Sequence, residues 1–174
     1  MSNNVWFTAD THFGHSNIIK YCNRPFNDEK EQDYKIIQRF NEVLRPGDRL
    51  YHLGDVAHSS CNIKAILDQL NVNEIHLIWG NHDKPALLKH KKIVSYSDIK
   101  AITIGNDRIV MFHYPMRSWN GRGHGAYQLY GHVHGQMPGI GRSMDVGVDT
   151  NDFYPYPWEE IKTKLEPQPF YVEE

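Results

Sequence analysis

Seven residues with metal-capable side chains fall into five short blocks of the chain: Asp10 with His12, Asp55, Asn81, His113, and His132 with His134. Most blocks follow a short run of β-favouring residues. They are therefore expected at the carboxyl ends of strands, where α/β sheets bind their ligands. Core packing gives no reason to place Asp, Asn and His repeatedly at such ends. Asp10 and His12 are spaced by two, as are His132 and His134, and in extended backbone that spacing points both side chains to one side. Gly54, Gly80 and Gly131 each precede a candidate donor and allow close backbone approach there. Of the 11 His in the chain, His52, His58, His76 and His90 belong to no block and read as structural or surface residues.

Carboxylate, imidazole and amide oxygen, without thiolate, suit manganese first, and iron, zinc or nickel as well. The donors outnumber the needs of one four-coordinate ion. Two divalent metal ions sharing a bridging carboxylate would use them all. Singly, each block is weak: Asp-x-His and His-x-His arise by chance, and Asn-His-Asp after Gly is an ordinary turn composition. The ordered set carries the inference.

The elements that must position these residues follow from periodicity. Val5–Ala9, Arg49–Leu53 and Glu74–Trp79 read as strands, alternating with helices over Asp28–Leu44 and around Ile63–Leu70. Tyr34, Ile37, Phe40, Val43 and Leu44 form the apolar stripe of the longer helix. Ser16–Tyr21 makes a short helix, and Arg24-Pro25-Phe26 a turn with an aromatic anchor. In the second half, Lys100–Ile104 and Arg108–His113 flank a turn at Gly105-Asn106-Asp107 as a hairpin. Tyr127–Tyr130 and Ser143–Val148 are further strands, and a last helix runs from Pro157 to Leu165. The tail from Pro167 to Glu174 is expected to be extended. The pattern predicts an α/β fold with two sheets and outer helices, in one domain over residues 1–174.

Composition narrows the function classes. No stretch approaches eighteen consecutive apolar residues, so no transmembrane helix is expected. The first residues lack the basic and apolar regions of a signal peptide. Two cysteines, Cys22 and Cys61, exclude a disulfide framework and suit a cytoplasmic location. The net charge of −2 makes stable binding to membrane or long nucleic acid unexpected, and leaves room only for a local basic patch. Oligomeric state is not legible.

Asp10-Thr11-His12, Gly54-Asp55, Gly80-Asn81-His82-Asp83, His113 and Gly131-His132-Val133-His134 resemble, in order, the motifs of the calcineurin-like metallophosphoesterases. Phe13–Ile19 and Val146-Gly147-Val148-Asp149 look like segments of small bacterial and phage members. The resemblance implies a two-sheet β-sandwich flanked by helices, in αββα layers, with a dinuclear centre. One metal would take Asp10, His12, Asp55 and His134. The other would take Asp55, Asn81, His113 and His132, with Asp55 as bridge. His82 matches the catalytic histidine, and Asp83 beside it would orient its ring. Two divalent ions, two carboxylates and one hydroxide leave about +1 at such a site. The implied reaction is attack on phosphorus by the bridging hydroxide, with His82 protonating the leaving oxygen. Small nucleotide-like phosphodiesters are the favoured substrates, phosphomonoesters the alternative, and a non-catalytic scaffold the third reading.

Arg117, Trp119, Arg122 and His124 lie in a glycine-rich loop pinned at His113 and His132, and are expected to line the substrate site. Arginine suits phosphate oxygens, and Trp suits a base or sugar face. A solvated surface loop is the competing reading. His15 joins the group as a neighbour of the first donors.

Overall fold

Trp6 and Phe7 are neighbours in β1 (Val5–Thr8), yet they pack into different cores on opposite faces of the strand. β2 (Arg49–His52) repeats this with Leu50 and Tyr51, and β3 (Glu74–Ile78) with Leu77 and Ile78. A sheet apolar on both faces has to be covered on both. On one side, Leu50, Ile75 and Leu77 meet α2 (Glu29–Val43) and α3 (Ile63–Gln69) through Ile36, Phe40 and Leu67. On the other, Phe7, Tyr51 and Ile78 meet Ile109, Met111 and Leu129 of a second sheet, with Trp158 and Ile161 of α4 (Trp158–Leu165) completing this core.

The computed structural model describes residues 4–170. Its first sheet has the order β4-β3-β2-β1-β9, where β4 is Ile93–Ser97 and β9 is Tyr156–Pro157. β1 to β4 run parallel, and β9 pairs antiparallel with β1. The second sheet has the order β5-β6-β7-β8. β5 (Ile99–Ile104) and β6 (Asp107–Phe112) form the antiparallel hairpin expected across Gly105. β6, β7 (Tyr127–Tyr130) and β8 (Ser143–Asp145) are parallel. α1 (Ser16–Tyr21) lies between β1 and α2 in the chain. Two sheets flanked by helices is the architecture expected from the sequence.

The differences have physical causes. β4 carries no readable signature because it is an edge strand whose Val94 and Tyr96 face solvent. β9 has two residues and no periodicity to read. Tyr34 is not part of the buried stripe of α2: it is 63% exposed. The inner face carries Gln32 instead, fully buried and hydrogen-bonded to Arg24 and to the His12 carbonyl. Residues 171–174 of the expected extended tail lie outside the described residues. No described helix is long and apolar enough to cross a membrane.

Candidate metal centre

The donors gather from the loops that follow β1, β2, β3, β6 and β7. Asp10, His12 and His134 bring one ligand atom each to within 4.8 Å of one another, and Asp55, His113 and His132 do the same. One oxygen joins the two groups. Asp55 Oδ2 lies 3.6 Å from His12 Nε2 and 3.5 Å from His113 Nε2. Asn81 adds its Oδ1 at 3.1 Å from His113 Nε2. The other Asp55 oxygen, Oδ1, accepts the His82 backbone N–H at 2.8 Å, which fixes the carboxylate plane.

Extended backbone is not what makes the pairs converge. Asp10, His12, Asp55, His132 and His134 all have positive φ, between 49° and 71°. Such backbone costs a residue with a Cβ on the order of 1–3 kcal/mol. Five of the eight non-glycine residues in this conformation among the described residues are candidate donors, so the strain is concentrated at the site. The glycines beside them meet a packing demand. A Cβ on Gly80 would sit 2.4 Å from Asp55 N and Oδ1, and one on Gly131 would sit 2.5 Å from Asp10 Oδ2.

The protein groups leave two buried atoms of the site without hydrogen-bond partners. Asp10 Oδ1 and His12 Nε2 are buried without a partner. Burial pushes the Asp10 carboxyl up to about 7, and pushes His12 down to about 2. A neutral imidazole with a free lone pair and a buried carboxyl oxygen without a hydrogen bond are what a divalent cation satisfies. Burial also works against ionisation of Asp55, but the hydrogen bond and charge of His113 and the His82 N–H outweigh it and bring the group to about 2. The residues present therefore fit two ions sharing Asp55.

Hydrogen bonds behind the donors set their tautomers. His113 Nδ1 lies 2.7 Å from the Leu53 carbonyl, which can only accept, so Nδ1 carries the proton and Nε2 is left for the site. His134 Nδ1 lies 2.7 Å from Asp149 Oδ2, with the same result. Burial opposes charge on His134, but Asp149, Cys22 and Asp10 outweigh it and raise the imidazole to about 10, so a cation held there would displace the Nε2 proton. Thr11 donates to the Val56 carbonyl at 2.8 Å and accepts from His52 Nε2 at 3.0 Å, tying the Asp10–His12 loop to the Asp55 loop. His52 is thus a buried brace.

Arg24 does more than make a turn. Its side chain is fully buried. Its Nε and Nη2 grip both oxygens of Asp149 at 2.7 and 2.8 Å, while Nη2 and Nη1 also donate to the Asp10 and Thr11 carbonyls. One guanidinium thus holds the carboxylate behind His134 and the backbone of the first donor. The signal in the sequence was a lone Arg before Pro, far from any donor block, so spacing could not find it. Arg24→Lys keeps the charge but loses the planar fork. The variant is expected to fold and to bind metal roughly 10–100-fold more weakly, the usual effect of losing a group that orients ligands. Titration of the apo variant with Mn²⁺ by calorimetry checks this, and wild-type affinity would refute it.

Other expected site residues are distributed unevenly. The His82 ring is exposed, with its centroid 5.4 Å from that of His12. The His15 ring lies 5.3 Å from His12 and stacks on His58 at 4.9 Å. Asp83 does not orient His82. Its carboxylate accepts the backbone N–H groups of Asp55, Val56 and Gly80, and so braces the turn that carries Asp55. Trp119 is also not at the site. It is 7% exposed, packs with Val110 and Ala126, and donates its indole N–H to the Ala126 carbonyl. Val110 points away from the core between the sheets, so Trp119 covers the outer face of the second sheet. Arg122 lies over the Trp119 ring at 5.1 Å and donates to the Arg117 carbonyl at 2.8 Å. Arg117 and His124 are exposed. Tyr114 was missed: its hydroxyl donates to Asn81 Oδ1 at 3.3 Å and its ring packs on His132.

Known proteins share this sequence pattern and this fold. Residues 4–145 match the family model of the calcineurin-like phosphoesterase superfamily domain. An uncharacterized protein of Methanocaldococcus jannaschii is 40% identical over 105 residues, a match that spans 59% of this chain and 58% of that protein's length. The gene 66 protein of Mycobacterium phage L5 is 26% identical over 166 residues, covering 77% of this chain and 79% of the phage protein. A crystal structure of a protein of unknown function from Aquifex aeolicus superposes with a TM-score of 0.78 at 25% identity, covering 94% of this chain and all of that one. A phosphoesterase from E. coli, Yfce, shares the fold at a TM-score of 0.51 and 16% identity, over 83% of this chain and 78% of its own. With the family model matching residues 4–145, most of its 174 residues, this chain belongs to the calcineurin-like phosphoesterase superfamily.

Proposed function

We propose that the protein hydrolyses phosphodiester bonds of small nucleotide-like substrates, with two divalent ions held by Asp10, His12, Asp55, Asn81, His113, His132 and His134. The observation that carries this reading is the single Asp55 oxygen common to both donor groups. When bound, the ions supply Lewis acidity and lower the pKa of water. The oxygen, imidazole and amide donors suit manganese. The chain's own part is to hold the phosphate and handle the leaving-group proton. His82 is anchored through its backbone N–H to Asp55, while its ring stands free at the rim. An exposed imidazole there can reach a leaving oxygen and donate to it. A scaffold without catalysis would not need that residue or a complete donor set. Arg117 and His124 are placed by us among the groups that meet substrate. Two unpaired cysteines suit the cytoplasm.

Chelation followed by rescue tests the reading. The protein stripped of metal is expected to lose hydrolysis of bis(p-nitrophenyl) phosphate, and Mn²⁺ to restore it. Turnover undiminished at confirmed low metal content would overturn the metal dependence. A p-nitrophenyl phosphate rate well above the diester rate would assign a monoesterase instead.

A further inference from the structure

The net charge hides a local asymmetry. From Lys84 to Lys92 the chain has four lysines and no acid. Lys92 turns inward and donates to the Leu67 and Leu70 carbonyls. Lys84, Lys89 and Lys91 are exposed, and none has an acidic partner among the described residues. Lys89 and Lys91 border a cleft of about 320 Å³ between α3 and the short 3-10 turn Pro85–Lys89. Asp68, the acid in that cleft, is already paired with Lys64 and His90.

The cleft lies on the His58 side of the metal centre. It shares Ile63 and Ala86 with a narrower recess of about 50 Å³ that ends at His58 and Lys84. His58 stacks on His15, which in turn meets His12 and lies 6.1 Å from His82. Cleft and recess, apolar at Ile63 and Ala86 and bordered by free ammonium groups, therefore lie on the side of His82 that carries His15 and His58.

We infer that this cleft binds the leaving-group side of a short single-stranded oligonucleotide, whose phosphates beyond the scissile one meet Lys84, Lys89 and Lys91. The assignment rests on the phosphodiesterase reading and narrows its substrate class. Ammonium groups along a strand hold phosphates without reading sequence, and the apolar floor accepts any base face.

The test uses the full chain with paired lysine substitutions. The ratio of kcat/KM for hexathymidylate to that for bis(p-nitrophenyl) phosphate is measured with Mn²⁺. Affinity for fluorescein-labelled hexathymidylate is measured by anisotropy in chelator, across a salt series. The ratio is expected to fall about 10-fold or more in the Lys89→Gln/Lys91→Gln variant and to stay at wild type in Lys20→Gln/Lys30→Gln, a control on other surfaces. The slope of log affinity against log salt is expected to drop by about 1.4, from roughly 0.7 per phosphate contact on a single strand. An unchanged ratio and slope in the cleft variant, or an equal change in the control, overturns the inference while leaving diester hydrolysis standing. If the wild type cleaves neither substrate, the phosphodiesterase reading fails, and the anisotropy arm alone decides whether the cleft holds the strand.

Discussion

Asp55→Asn is expected to release at least one of the two ions and to lower turnover by roughly 10³-fold or more, because a bound metal supplies several kcal/mol of transition-state stabilisation. The geometry gives the reason. Asp55 Oδ1 must accept the His82 backbone N–H, so the asparagine carbonyl oxygen takes that position. Its NH₂ group is then left where Oδ2 faced His12 and His113. A donor replaces an acceptor at the one point common to both donor groups, and a negative charge is lost between two cations. Elemental analysis after dialysis against Mn²⁺ measures the loss directly. A thermal melt separates it from unfolding, since the variant keeps the packing of the turn. Two ions per chain with near-wild-type turnover would show that Asp55 is not the bridge.

His82→Ala is expected to behave in the opposite way, keeping its metal while losing about 10²–10⁴ in rate, the usual range for general acid catalysis. The backbone N–H of residue 82, not the ring, contacts Asp55, so truncating the side chain leaves the carboxylate anchored. The ring is exposed and stands beside the donor groups. The deficit should shrink for a diester with a p-nitrophenolate leaving group, which departs without a proton, and be largest for an alkyl leaving group. kcat for both esters in both proteins, with metal content alongside, checks this. Equal deficits on the two esters would remove the general-acid role, and an emptied site would make His82 a ligand.

How much of this was legible in the sequence depends on whether a residue acts through its local block or through distant partners. The donor blocks were readable because each combines a strand, a glycine and a polar residue within a few positions, and strand ends in α/β sheets face one rim. The alternation of the early strands with helices and the hairpin at Gly105 followed from periodicity and turn chemistry in the same way. The left-handed backbone at five donors was not readable: it is imposed by tertiary convergence against local preference. Trp119 looked like a stacking platform because its loop is tethered at two donors, but burial of the outer face of the second sheet claimed it. Asp83 sits next to His82 in the chain, yet three backbone N–H groups on two loops take its carboxylate. Arg24 is 125 positions from Asp149 and has no periodic or motif signal, although it holds the carboxylate behind His134. Sequence alone determined which residues are candidate donors and that strand ends present them. Only the tertiary structure decided their grouping around one shared oxygen and the buried braces behind them, because those contacts join segments that no local pattern relates.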